Sequence, residues 1–158
     1  MSRDLMQPTH EYDFRAAASD DDFRQIVALQ ALNRPEVLDA AELASQGFVT
    51  LRHTVELLRE MNEPWPHVVA TARATGEVVA YALMMQARFR DRFPALEPMF
   101  ERLEGLCHRG RPIESLRWYV MGQICVAREH RGRRLVEGMY AEHRRLMSRD
   151  FDVVITEI

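Results

Sequence analysis

The chain has 158 residues, 47% apolar and 28% charged, with a net charge of −3 and a sequence pI of about 6.1. Those values suit one domain with a sizeable core, and they exclude a general nucleic-acid binder, which carries a basic excess across a whole face. All 21 basic residues are arginine, which rules out a P-loop lysine, a Schiff-base lysine and a lysine general base.

Cys107 and Cys125 lie in different contexts without CxxC spacing, so neither a disulfide framework nor a zinc site is expected. The start, MSRDLMQPTH, lacks the apolar run of a signal peptide, and no stretch reaches the length of a membrane span. The expectation is a soluble, cytoplasmic protein with no membrane partner.

Tyr12 and Phe14 alternate with charged residues across Glu11 to Ala17, which predicts an opening half-buried strand. Ser19 with Asp22 forms a capping-box pattern, and three aspartates sit where a helix dipole favours them. The helix carries Phe23, Ile26, Val27 and Leu32 at helical spacing and ends near Asn33, before Pro35. A short helix is predicted over Asp39 to Gln46, closed by Gly47, then an apolar interlude from Phe48 to Leu51. Thr54 opens a further helix with Val55, Leu57, Leu58 and Met61 on its buried side, ended by Pro64 and Pro66.

His67 to Ala72 and Val78 to Met85, separated by a short glycine-containing loop, predict a β-hairpin. Pro94 suits a helix start, with Leu96, Met99, Phe100 and Leu103 as its stripe. Leu116 to Val126 is apolar without clean alternation, as a strand covered on both faces should be. Gly122 interrupts it and predicts a bulge or a close backbone approach. The last helix places Leu135, Val136, Met139, Tyr140, His143, Leu146 and Met147 on one broad face, before a final β-branched run from Asp152 to Ile158. The final strand, helix, strand unit predicts a parallel pair, and the whole predicts an α/β (α+β) fold with a mixed sheet between helices.

Gln123 to Tyr140, QICVAREHRGRRLVEGMY, is the chemically informative stretch. It passes from an apolar strand through a basic turn, with Arg128, Arg131, Arg133 and Arg134 against Glu129, into a helix. A helix start presents unpaired N–H groups and the positive end of the macrodipole, so a phosphorylated small molecule is the expected guest. A Rossmann reading fails because GxGxxG and an early βα unit are both missing.

This order of elements resembles the GNAT superfamily of acyl-CoA-dependent N-acetyltransferases, most sharply at Ile124 to Val136. The residues that correspond to the family signature, Arg or Gln, two residues, Gly, one residue, then Gly or Ala, are Arg131, Gly132, Arg133, Arg134, Leu135 and Val136. Arg134 stands at the pattern's middle glycine and Val136 at its last small residue. The resemblance implies acetyl-CoA as cofactor, with that turn holding its pyrophosphate. It further implies that Ile124, Cys125 and Val126 line the pantetheine arm through their backbone groups, and that a backbone N–H there polarises the thioester.

The implied reaction is direct acetyl transfer to a small-molecule or peptide amine, without a metal. Candidates for the base or its helper are Glu157, Gln123 as a water-positioning group, and Tyr119. Cys125 reads better as a buried structural thiol than as an acyl carrier. The alternative is a non-catalytic, acyl-CoA-binding or regulatory protein of the same fold. Family members continue past the fifth strand, so the expected fold is short of the C-terminal helix and the last two strands. The exposed VVIT run is then an edge that a second copy covers in a homodimer.

Overall fold

The computed structural model describes residues 11–34, 36 and 51–156. Strand β1 is Tyr12–Ala16, and Ser19 caps helix α1, Asp20–Leu32. The capping box is present: the Asp22 N–H donates to Ser19 Oγ at 3.1 Å, and the Asp22 carboxylate accepts from the Ser19 N–H at 3.3 Å. Asp22 also accepts both Arg15 guanidinium nitrogens at 2.8 and 2.7 Å and the Ala18 N–H at 2.9 Å. Burial alone would raise this carboxyl, yet those donors outweigh it and hold the pKa at about 2. The end of β1 is thereby locked to the start of α1.

Thr54 caps helix α2, Val55–Met61, by accepting from the Leu57 N–H at 3.1 Å. Strands β2, Val68–Ala72, and β3, Val78–Met85, form the expected hairpin, turning through Gly76 at φ +74°. The predicted helix over Asp39 to Gln46, with Gly47, lies outside the described residues. After β3, Pro94 opens a single 3-10 turn that leads into helix α3, Glu97–Leu103.

A two-residue hairpin follows, β4, Cys107–His108, against β5, Arg111–Pro112. Its turn residues Arg109 and Gly110 both have positive φ. Strand β6 is Trp118–Val126, helix α4 is Leu135–Met147, and strand β7 is Val153–Ile155. One mixed five-stranded sheet results, in the order β1-β2-β3-β6-β7, antiparallel except for the parallel β6–β7 pair. The fold is α+β, a mixed sheet flanked by helices.

Helices α1 and α2 cover one face, where Phe23, Ile26, Leu29 and Leu58 pack on Val69, Tyr81, Leu83 and Cys125. On the opposite face Leu135 and Met139 of α4 pack on Tyr12, Ala70, Ala80, Ala82 and Met121. The alanines let α4 lie close to the sheet. It also approaches β1 closely at Gly138, where an added Cβ would sit 2.1 Å from Phe14 Cζ.

The broad α4 face read from the sequence is narrower in the structure. Leu135, Met139, His143 and Met147 are buried at i, i+4 spacing, whereas Val136 and Tyr140 are 36% and 37% exposed. Nothing among the described residues covers the flank on which those two project. Leu32 at the end of α1 is likewise exposed, and Gln30 takes its place inside.

Candidate functional site

The register between β3 and β6 jumps from Leu83↔Gln123 to Met84↔Met121, so Gly122 is the extra residue of a bulge. The bulge reverses which side chains face which way. Tyr119 and Met121 point toward α4, while beyond Gly122 it is Gln123 and Cys125 that point toward α1. Ile124 and Val126 return to the α4 face.

Among the described residues strand β7 pairs only with Trp118, Tyr119 and Val120. Beyond the bulge, β6 has no strand on its outer side among the described residues. The Ala127 N–H bonds back to Val79 of β3, so alternation turns the N–H and C=O of Ile124 and Val126 outward, with those of Cys125 inward. The outward Val126 carbonyl accepts Arg131 Nε at 3.3 Å. Of the three expected backbone ligands, two therefore present their groups to the open edge.

The edge leads into the basic turn. Gly132 has φ +74°, and Arg134, at the N-cap of α4, has φ 60° and ψ 30°. Left-handed backbone is rare for a residue with a Cβ and costs roughly 1–2 kcal/mol. The Arg134 side chain makes no cap; it projects into solvent and meets Glu137 at 3.2 Å. Glu137 turns its carboxylate onto its own N–H and onto Arg134, which together lower its pKa.

Each flanking cation is also engaged. Arg133 pairs with Glu11 at 3.1 Å, and Arg131 donates to Asn33 Oδ1 at 2.7 Å. His130 Nδ1 bonds the Tyr12 hydroxyl at 2.8 Å, which pins the turn to β1. Arg131, Arg133 and Arg134 thus each have a partner within the protein.

Gln123 sits in a polar network on the α1 face. Its Oε1 accepts from Gln30 Nε2 at 2.8 Å and from the Tyr81 hydroxyl at 2.7 Å, and its Nε2 donates to the Leu51 carbonyl at 3.2 Å. Gln30 Nε2 also lies 2.9 Å from His53 Nδ1, while its Oε1 accepts the His53 N–H at 3.2 Å. Burial holds His53 neutral, with a pKa lowered to about 4. Burial likewise pushes the Cys125 thiol up to about 11, partly opposed by Tyr81 and Arg131, so this thiol stays protonated at neutral pH.

Tyr119 lies on the other face from Gln123. Its hydroxyl is 3.2 Å from His143 Nδ1, and His143 Nε2 meets the Ala82 carbonyl at 3.1 Å, so the tyrosine is the donor of that pair. Burial raises Tyr119 to about 12, which works against it as a base at neutral pH. It lines an open groove of about 780 Å³ between α4 and β7, with Tyr140, Arg144, Phe151 and Val154 among its walls. Glu157 lies outside the described residues. The structure thus brings Ile124, Val126, Arg131, Gly132, Arg133, Arg134, Leu135 and Val136 to one strand-to-helix junction and separates Tyr119 from Gln123. Sequence reading did not find Gln30, His53 or Tyr81, because their link to Gln123 joins distant segments.

No family model matches the chain, and no curated protein matches it. A similar solved structure is that of a tetramutant of the BH1408 protein from Bacillus halodurans, a structural genomics target. It is 13% identical, with a TM-score of 0.51 over 92% of this chain and 82% of that one. At that identity the likeness speaks for the fold alone. Among the described residues no helix is long and apolar enough to cross a membrane.

Proposed function

We propose that this chain is an N-acetyltransferase of the GNAT type, moving an acetyl group from acetyl-CoA to a small-molecule or peptide amine by direct attack. One observation carries the reading: the edge of β6, uncovered beyond the bulge among the described residues, leads through a short 3-10 turn, Arg128–His130, to the left-handed Gly132 and Arg134 and the start of α4. An extended pantetheine arm pairs with the outward groups of Ile124 and Val126, as an added strand would. The pyrophosphate then meets the N–H groups of the turn and the first turn of α4. Arg134 replaces a family glycine, yet its backbone takes a conformation that glycine adopts freely, with its side chain directed away into solvent.

In the proposed reaction the amine nitrogen attacks the thioester carbon and the carbon–sulfur bond breaks. The nitrogen loses one proton and the departing CoA thiolate gains one. A backbone N–H at the open edge stabilises the oxyanion. Gln123 acts by holding the segment around His53 over the α1 face, and Glu157 enters as the base on sequence grounds. A second copy pairing along the outer edge of β7 belongs to the same proposal, and sedimentation at micromolar concentration tests it.

A second reading, acyl-CoA binding without turnover, draws on the engaged carboxamide of Gln123 and the raised pKa of Tyr119. Calorimetry with acetyl-CoA, followed by a thiol-release assay over a broad amine panel, separates the two. Binding with amine-dependent thiol release supports the enzyme. Binding with no release across the panel supports the second reading, and no binding at millimolar acetyl-CoA sinks both.

A further inference from the structure

The floor of the groove between α4 and β7 is the α4 side of the sheet, where Tyr119 and Val154 stand opposite each other in the parallel register and Met121 lies further along β6. Tyr140 and Met147 belong to its α4 wall, and both Val154 and Tyr140 are large apolar side chains left exposed. The polar atoms of the floor are already engaged. The Tyr119 hydroxyl donates to His143 Nδ1, His143 Nε2 meets the Ala82 carbonyl, and Asp152 accepts from Arg117. Arg144 and Ser148 lie exposed at the rim. A groove of about 780 Å³ with an apolar floor and no buried polar atom left over there suits an apolar guest.

Its position says which guest. Leu135 and Met139 pack beside Met121, Ile124 and Val126, whereas Met147 packs with Tyr119, so α4 runs back along β6. A thioester of CoA with its pyrophosphate at the start of α4 and its pantetheine arm on Val126 and Ile124 therefore points its acyl group back along β6 toward the bulge. There the pairing of Val120 with Ile155 closes the gap between β6 and β7, so a longer chain has to leave the plane of the sheet. On the α1 face the bonded network of Gln123, Gln30 and Tyr81 fills the space. On the α4 face Met121 and Tyr119 are next in line after Ile124, and they open into the groove. Resting on the acetyltransferase reading, we infer that this groove receives the acyl chain of the donor, so that a medium-chain acyl-CoA is bound in preference to acetyl-CoA. The same bonds form and break in the transfer, with a longer acyl group. From Tyr140 to Met147 the α4 wall is about 10 Å long, the reach of an octanoyl chain.

The test is a calorimetric titration of the full chain with CoA, acetyl-CoA and octanoyl-CoA. Octanoyl-CoA should bind at least about ten-fold more tightly than acetyl-CoA, the gain from burying about two methylenes. Val154→Glu sets a charge on the groove floor, and Tyr140→Ala removes part of its wall. Each should take away most of the octanoyl advantage and leave the affinity for acetyl-CoA nearly unchanged. Both side chains are exposed, so both variants should fold, which circular dichroism checks.

Equal affinity for acetyl-CoA and octanoyl-CoA overturns the inference and leaves the acetyltransferase reading standing. An octanoyl advantage that survives both substitutions overturns it too, since the chain then lies elsewhere. A second copy seated in the groove would give equal affinities together with a dimer in sedimentation that Val154→Glu dissociates. Binding of neither thioester sinks the acetyltransferase reading, and the inference with it.

Discussion

Gly138→Ala sets two effects of known size against each other. In a helix interior alanine is favoured over glycine by about 1 kcal/mol. Here, however, the new Cβ would lie 2.1 Å from Phe14 Cζ and 2.4 and 2.6 Å from its two Cε atoms, where ordinary contact begins at 3.4 Å. Either the ring or the helix must move by more than an ångström, and such overpacking costs about 1–3 kcal/mol. The expected net change is a loss of about 1 kcal/mol. In a Phe14→Ala background the clash is gone, so the same substitution should gain about 1 kcal/mol, a coupling of about 2 kcal/mol between the sites. Urea unfolding midpoints of the four proteins in this cycle measure it. Equal stabilisation in both backgrounds would refute the close packing of α4 on β1. Because Gly138 is in the first turns of α4, the single variant should also weaken CoA binding, and the double variant should restore it.

Acid should destabilise the protein well before its carboxylates titrate. His67 Nδ1 accepts the Met84 N–H at 3.0 Å, His53 Nδ1 faces Gln30, and burial lowers their pKa values to about 3 and about 4, with His143 lowered by burial too. Folded values below the ordinary 6.5 mean that the unfolded chain binds protons the native state refuses. Stability is therefore full above that value and falls as pH drops toward 4, by up to about 1.4 kcal/mol per pH unit for each histidine. Chemical denaturation from pH 7.5 to 4.5 checks this, and a flat profile would contradict it, while His53→Gln should flatten the slope in part. Gly132→Val should leave the fold intact, since nothing lies within 4 Å of its missing Cβ, but φ +74° is a strained conformation for a β-branched residue. CoA affinity should fall by about ten-fold, as roughly 1–2 kcal/mol of strain distorts the turn. Unchanged affinity in calorimetry would argue against that turn as the phosphate site.

Much of the scaffold could be read locally. Ser19 with Asp22, Thr54 before an apolar stripe, and the glycine-containing loop at Gly76 are signals confined to a few residues, and each appears where expected. What escaped was set by distant contacts. Gly122 marked a bulge, but in a strand buried on both faces the alternation is hidden, so the reversal that parts Tyr119 from Gln123 was not legible. The β4–β5 hairpin is too short to show any periodicity. Val136 and Tyr140 look like core residues because they are apolar at helical spacing, and only the sheet's outline decides that they stay exposed. Gln30 and Tyr81 hydrogen-bond Gln123, and His53 bonds Gln30, across segments that only the tertiary fold brings together. The basic turn was visible as a run of arginines, whereas the left-handed backbone of Arg134 and the acid partners of Arg133 and Arg134 were not.

The most direct measurement is a crystal structure of the chain with acetyl-CoA. The pantetheine arm should lie along β6 and bond the backbone of Ile124 and Val126, with the pyrophosphate on N–H groups from Gly132 into the first turn of α4. Acetyl-CoA seated elsewhere, for example in the groove between Tyr140 and Val154 without touching that edge, would contradict the account.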